Sequence, residues 1–196
     1  MRISNWKQIL IHFRAEWNEI FISHHSTAIK GSSLTEEECR LLIVDGITAK
    51  GKPLYDHNMV KDHFEALRFI VEEAKKKREI TPVFIQEISV HVMRTTGGII
   101  YSSAGDYDSS KGDWRKSSVH VGDRYFVNYQ KIEREVTRLC EILNQRIKQV
   151  QTPDSIYQRP FLFSQHPSVC RWKRKNFTLI DELYSLLSST PSSHYI

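Results

Sequence analysis

The sequence predicts a mainly α-helical protein with one β-hairpin late in the chain. Apolar residues recur at helical spacing in four separate stretches. Helix-start signals stand at Thr35 and at Thr81-Pro82, and period-2 alternation occurs only once, around a Gly-Asp turn. Across 196 residues, 40% are hydrophobic and 26% charged, a balance that favours one globular domain with an adequate core.

The first periodic stretch is Trp6 to Ser23, with Ile9, Phe13, Trp17, Ile20 and Phe21 on one stripe and His12 just off it. Gly31 and the serines after it end or interrupt that helix. The adjacent pair His24-His25 invites a metal reading. Neighbours on a helix point in different directions, and the sequence offers no third ligand nearby, so no metal site is expected.

Thr35-Glu36-Glu37-Glu38 spells a capping box, opening a helix with Leu41, Leu42 and Val44 inward and Gly46 at its close. Leu54 to about Lys77 is helical again, with Met59, Val60, Phe64, Leu67, Ile70, Val71 and Ala74 facing the core. Its early aspartates and closing lysines suit the helix dipole, so Lys75-Lys76-Lys77 is expected to be a solvated end. Thr81-Pro82 supplies an N-cap and a proline at N1, and Val83, Phe84, Ile88, His91 and Val92 the buried side. Gly97-Gly98 stops that helix.

Gly97 to Trp114 reads as an irregular loop. Lys116 to Val121, Gly122-Asp123 and Arg124 to Val127 then read as a hairpin, marginal unless it leans on helices. The last long helix starts near Tyr129 and buries Ile132, Val136, Leu139, Cys140, Leu143 and Ile147, with Pro153 marking its end.

Composition narrows the function classes. Net charge is +5; residues from Phe161 onward carry four cations against two carboxylates, and the rest is spread along helices. A nucleic-acid partner is therefore not expected, although a binder using Arg171 to Lys175 with Trp172 is a minor alternative. Cys39, Cys140 and Cys170 show no metal-ligand spacing and fit inert core thiols in a reducing, cytoplasmic setting. The N-terminus offers no signal peptide, and no apolar run approaches the ~18–20 residues of a membrane span, so no membrane partner is expected. Dinucleotide, P-loop, zinc-protease and serine-hydrolase motifs are absent.

The carboxyl end is anomalous. Pro167 to Tyr184 is basic and aromatic with no period before Leu179, which on composition alone is a disordered tail. Read one base out of frame, Trp172-Lys173 can spell only glycine. With allowed codons, Pro160 to Tyr184 can spell HFFLVSIHPFADGNGRTSRLLMNYI without a stop. The segment HPFADGNGR is similar to the HPFx(D/E)GNGR signature of the Fic (Fido) family. A slip between Ser155 and Arg159 is expected to have displaced it.

Three further landmarks resemble Fic proteins that carry an N-terminal inhibitory helix. Ser26-Thr27-Ala28-Ile29-Lys30-Gly31 is similar to the (S/T)xxxE(G/N) inhibitory motif. Gly51-Lys52-Pro53-Leu54 runs into His57 and Glu65-Ala66-Leu67 as it does before a long helix in such proteins. The hairpin Lys116 to Val127 stands where the family places its target-docking flap. The resemblance implies a Fic/Fido-like helical bundle with one hairpin flap over 1–157, incomplete at the C-terminus, and a poorly ordered out-of-frame tail over 158–196.

It also implies a lineage that, with magnesium on the nucleotide phosphates, transfers AMP from ATP to a Ser, Thr or Tyr hydroxyl of a target protein and releases pyrophosphate. Val119, His120, Val121, Tyr125 and Phe126 would dock that target edge-on. Two departures stand against activity. Lys30 occupies the position of the inhibitory Glu, and no Gly-Asn-Gly exists in the chain as translated. No catalytic residue, cofactor or metal is therefore expected here, and the helices are expected to expose apolar faces meant for the missing motif helix. A non-catalytic interaction or regulatory module is the alternative.

Overall fold

A computed structural model describes residues 17–121 and 124–149. The tail 158–196, the first eleven residues predicted for the opening helix and the Gly122-Asp123 turn lie outside the described residues.

The chain is helical across 17–28 (α1). It continues through α2 (Glu36–Arg40), α3 (Leu54–Lys75) and α4 (Pro82–Val92) to α5 (Ile132–Gln149). The punctuation residues act as their chemistry dictates. Thr35 accepts the N–H of Glu38 while the Glu38 carboxylate accepts the Thr35 N–H, the reciprocal capping box. Thr81 accepts the N–H of Phe84 with Pro82 at the helix start. Gly31, at φ +95°, ends α1: Ser32 N–H reaches the Thr27 carbonyl and Gly31 N–H that of Ala28, the paired bonds of a left-handed helix stop.

Two clusters form the core. The larger lies where α3, α4 and α5 meet, around Leu67, Ile70, Phe84, Ile88, Val136 and Leu143. Asn144 of α5 clamps the α3–α4 link there: its Oδ1 accepts Ile80 N–H (3.0 Å) and its Nδ2 donates to the Ile80 carbonyl (2.8 Å). The smaller cluster gathers Ile20, Leu34, Cys39, Leu42, Val60 and Phe64 under α1 and α2.

Several expectations need correction. On α1, Ile20 is buried but Trp17 and Phe21 are 43% and 44% exposed, because Ser23, Ser26 and Thr27 occupy the buried face. After α2 the helix widens into a π-turn over Leu41–Asp45, which carries Val44 outward to 54% exposure. Val83 is likewise outside, and Ile85 and Ser89 take the inner face of α4.

The loop after Gly97 is not irregular throughout. Ile99–Ile100 (β1) pairs antiparallel with Tyr107–Asp108 (β2), ahead of a 3-10 turn at Ser109–Lys111. Gly97 is obligatory there, since a Cβ would lie 2.6 Å from the Met93 carbonyl oxygen and 2.8 Å from Ser110 N. The described residues therefore hold two hairpins, not one. The second pairs His120–Val121 (β3) with Arg124–Tyr125 (β4).

Candidate functional site: the end of α1 and the β3–β4 hairpin

Ser26, Lys30 and Gly31 share the last turn and stop of α1. Ser26 is buried, Lys30 half-buried and Gly31 exposed. Polar bonds set this end in place. Thr27 Oγ1 donates to the carbonyls of Ser23 (2.8 Å) and His24 (3.1 Å), drawing the hydroxyl back onto its own helix. Ser23 Oγ meets Nδ1 of His63 on α3 at 3.2 Å.

Beyond the stop, Ser33 gives both its backbone N–H and its hydroxyl to Oδ2 of Asp56 (2.8 and 2.6 Å). Lys52 Nζ donates to the Ser33 carbonyl at 2.7 Å. The Ser33 hydroxyl, then its N–H, hold the Asp56 carboxyl below the usual carboxylate range against the opposing effect of burial.

The stretch 51–57 is thus the strap that fixes α1's exit to α3. Gly51 supplies a φ of +77°, and Pro53 launches the helix. His57 closes the loop from inside: Ala49 N–H donates to Nε2 (2.9 Å), and Nδ1 lies 2.8 Å from the Pro53 carbonyl. Those two bonds require the neutral ring with its proton on Nδ1.

The hairpin is built at its mouth. Phe126 N–H donates to the Val119 carbonyl (3.0 Å), extending the pairs His120–Tyr125 and Val121–Arg124 by one rung. Arg115, buried, donates through one guanidinium nitrogen to the Ser117 carbonyl and through the other to that of Val127, so one side chain ties both legs. Burial pushes this guanidinium below its ordinary pKa. Sequence reading missed Arg115; its only signal was an arginine just ahead of an alternating run.

Asp62 was missed too. Its buried carboxylate accepts the backbone N–H and hydroxyl of both Thr95 and Thr96 (2.9 to 3.2 Å), anchoring the turn that leads to β1. Among the described residues β3 and β4 pair only with each other, leaving the outer edge of each strand without a strand partner.

A nucleoside triphosphate seated at a helix start would need free backbone N–H groups there. The described starts do not fit. Thr35 and Thr81 cap α2 and α4 with their own side chains, Pro53 precedes α3, and Asn128 caps the 3-10 turn leading into α5. Glu36, Glu37 and Glu38 add negative charge at one of them.

No family model matches the chain, and no curated protein matches it by sequence. Solved structures do. Fic-1 from C. elegans superposes with a TM-score of 0.57 at 20% identity, over 91% of this chain and 50% of that one. A Fic domain containing signaling protein from Bacteroides thetaiotaomicron gives 0.61 at 22% identity, over 87% of this chain and 64% of the other. The chain spans between half and two thirds of these neighbours' length. At such identity the likeness is one of fold, and this chain has the fold of Fic domain proteins.

Proposed function

We propose that this chain is a Fic-family protein, from a lineage that transfers AMP from ATP to a Ser, Thr or Tyr hydroxyl of a target protein, and that as translated it does not catalyse that transfer. The observation that carries the first half is order within a Fic fold: a helix ending at Ser26 to Gly31, a strapped long helix, then a two-stranded hairpin directly ahead of α5. The second half rests on chemistry. Without Gly-Asn-Gly there is no cradle for the phosphates, and no described helix start replaces it. Neither ATP nor magnesium is bound in this reading.

The retained property is target docking. A peptide laid along β3 or β4 would find a strand edge bearing backbone donors and acceptors, with Val119, His120, Val121, Tyr125 and Phe126 as the residues of that edge region. The same open edges favour the second reading, a non-catalytic interaction module acting in the cytoplasm. Lys30 could not perform the inhibitory role of a Glu in either case, since it would repel an arginine rather than pair with it.

Purified chain incubated with ATP labelled at the α-phosphate, magnesium and a cell extract should label no protein above background. Labelled target would overturn the assignment of inactivity.

A further inference from the structure

We propose that His24, His25 and Glu36 form a site for a zinc-class divalent ion that ties the last turns of α1 to the first turn of α2. One ring nitrogen of each histidine and a carboxylate oxygen of Glu36 all lie within 4.8 Å of one another. The third ligand was invisible in sequence because it comes from the next helix, eleven residues on. The adjacent rings also converge, with centroids 4.8 Å apart and planes tilted by 60°.

Three observations carry the proposal beyond proximity. His24 Nδ1 is buried with no hydrogen-bond partner, a costly arrangement that a ligand would relieve. The His25 ring is held edge-on by Phe21 at 4.1 Å, which restricts its rotation. Of the three consecutive glutamates in α2's first turn, Glu37 is taken by Arg40 and Glu38 by Thr35 and Lys52. Glu36 is the one left facing the imidazoles.

Two imidazoles and one carboxylate form a donor set that suits zinc, with water completing a tetrahedron. Bonds of about 2.0–2.2 Å place tetrahedral ligands roughly 3.4 Å apart, so the three groups must close by about 1.4 Å at most. Rotation of the Glu36 side chain, with a small displacement of the exposed His25 along its contact with Phe21, can supply that movement.

The test uses full-length chain without a polyhistidine tag, titrated with zinc by calorimetry and with cobalt by visible absorption. Wild type is expected to bind one ion, with the intense cobalt bands of a tetrahedral site. His25→Ala and Glu36→Gln should each weaken binding by more than the about 10–100-fold lost with an outer-shell partner. Glu37→Gln should leave binding unchanged. Both ligand substitutions sit near the surface, and melting equal to wild type in EDTA would show that the fold survives them. Absence of saturable binding up to millimolar zinc would overturn the proposal, as would undiminished binding in both ligand variants.

Discussion

The seam that joins α1 to α3 and the seam among α3, α4 and α5 are built from different materials. Among the described residues, thirteen buried, mostly aliphatic ones close the second, against six in the cluster beneath α1 and α2. The first relies instead on Ser23 to His63, Thr27 to its own helix, and Ser33 and Lys52 around Asp56. Apolar contact is non-directional and scales with area; polar contact contributes less net free energy but accepts only one geometry. The difference assigns stability to α3–α5 and positional specificity to the end of α1. Trp17 and Phe21 remain half-exposed on α1 because the specific, polar face is the one turned inward.

Substitutions can break that contrast, beginning where the effect is greatest. Leu143→Ala, at a site with 0% exposure in the larger cluster, should lower unfolding free energy by about 3 kcal/mol in urea denaturation. Phe21→Ala should cost under ~1 kcal/mol. Equal costs would mean that the α1 seam carries as much of the stability as the helical core.

Asp56→Ala should cost about 2 kcal/mol, since a charged acceptor loses both Ser33 bonds. Its pH dependence follows from the sign of the shift. The folded carboxyl titrates below its unfolded value, so its contribution is complete above about pH 4 and fades as pH falls through the folded pKa. The stability gap between wild type and Asp56→Ala should therefore narrow below pH 4 and stay constant from pH 5 to 7. A gap that widened on acidification would refute the assignment.

Gly31→Ala meets no atom within 4 Å, so its cost is backbone strain alone, about 1 kcal/mol. Amide exchange should quicken at Ser32 and Gly31 while Leu143 and its neighbours in α5 stay protected. The smallest effect concerns the thiols. Burial pushes Cys39 and Cys140 up to about 12, leaving roughly one thiolate in ten thousand at pH 8. Peptide mapping after brief native alkylation should find both unmodified, and rapid labelling at Cys140 would mean that the helical core opens readily.

What the sequence disclosed divides along the same line. The face of α5, the long α3, the capping box at Thr35 and the proline start at Pro82 are written in local pattern, and they were read correctly. Misread positions depend on partners far along the chain. Trp17, Phe21 and Val44 look buried until serines and a π-turn claim or rotate the inner face. Asp62 waits for Thr95 and Thr96, and Asn144 for Ile80; no periodicity reports such pairs. The short β1–β2 ladder lacked alternation because two residues per strand are too few to show it.

On the function proposed here, a scaffold with the Fic fold is joined to a carboxyl end translated out of frame. Determining the nucleotides of codons 150 to 196 tests it directly. Shifted by one base after a point between Ser155 and Arg159, they should encode HPFADGNGR or a close variant of HPFx(D/E)GNGR. A shifted reading that meets stop codons, or lacks Gly-Asn-Gly, would contradict the claim.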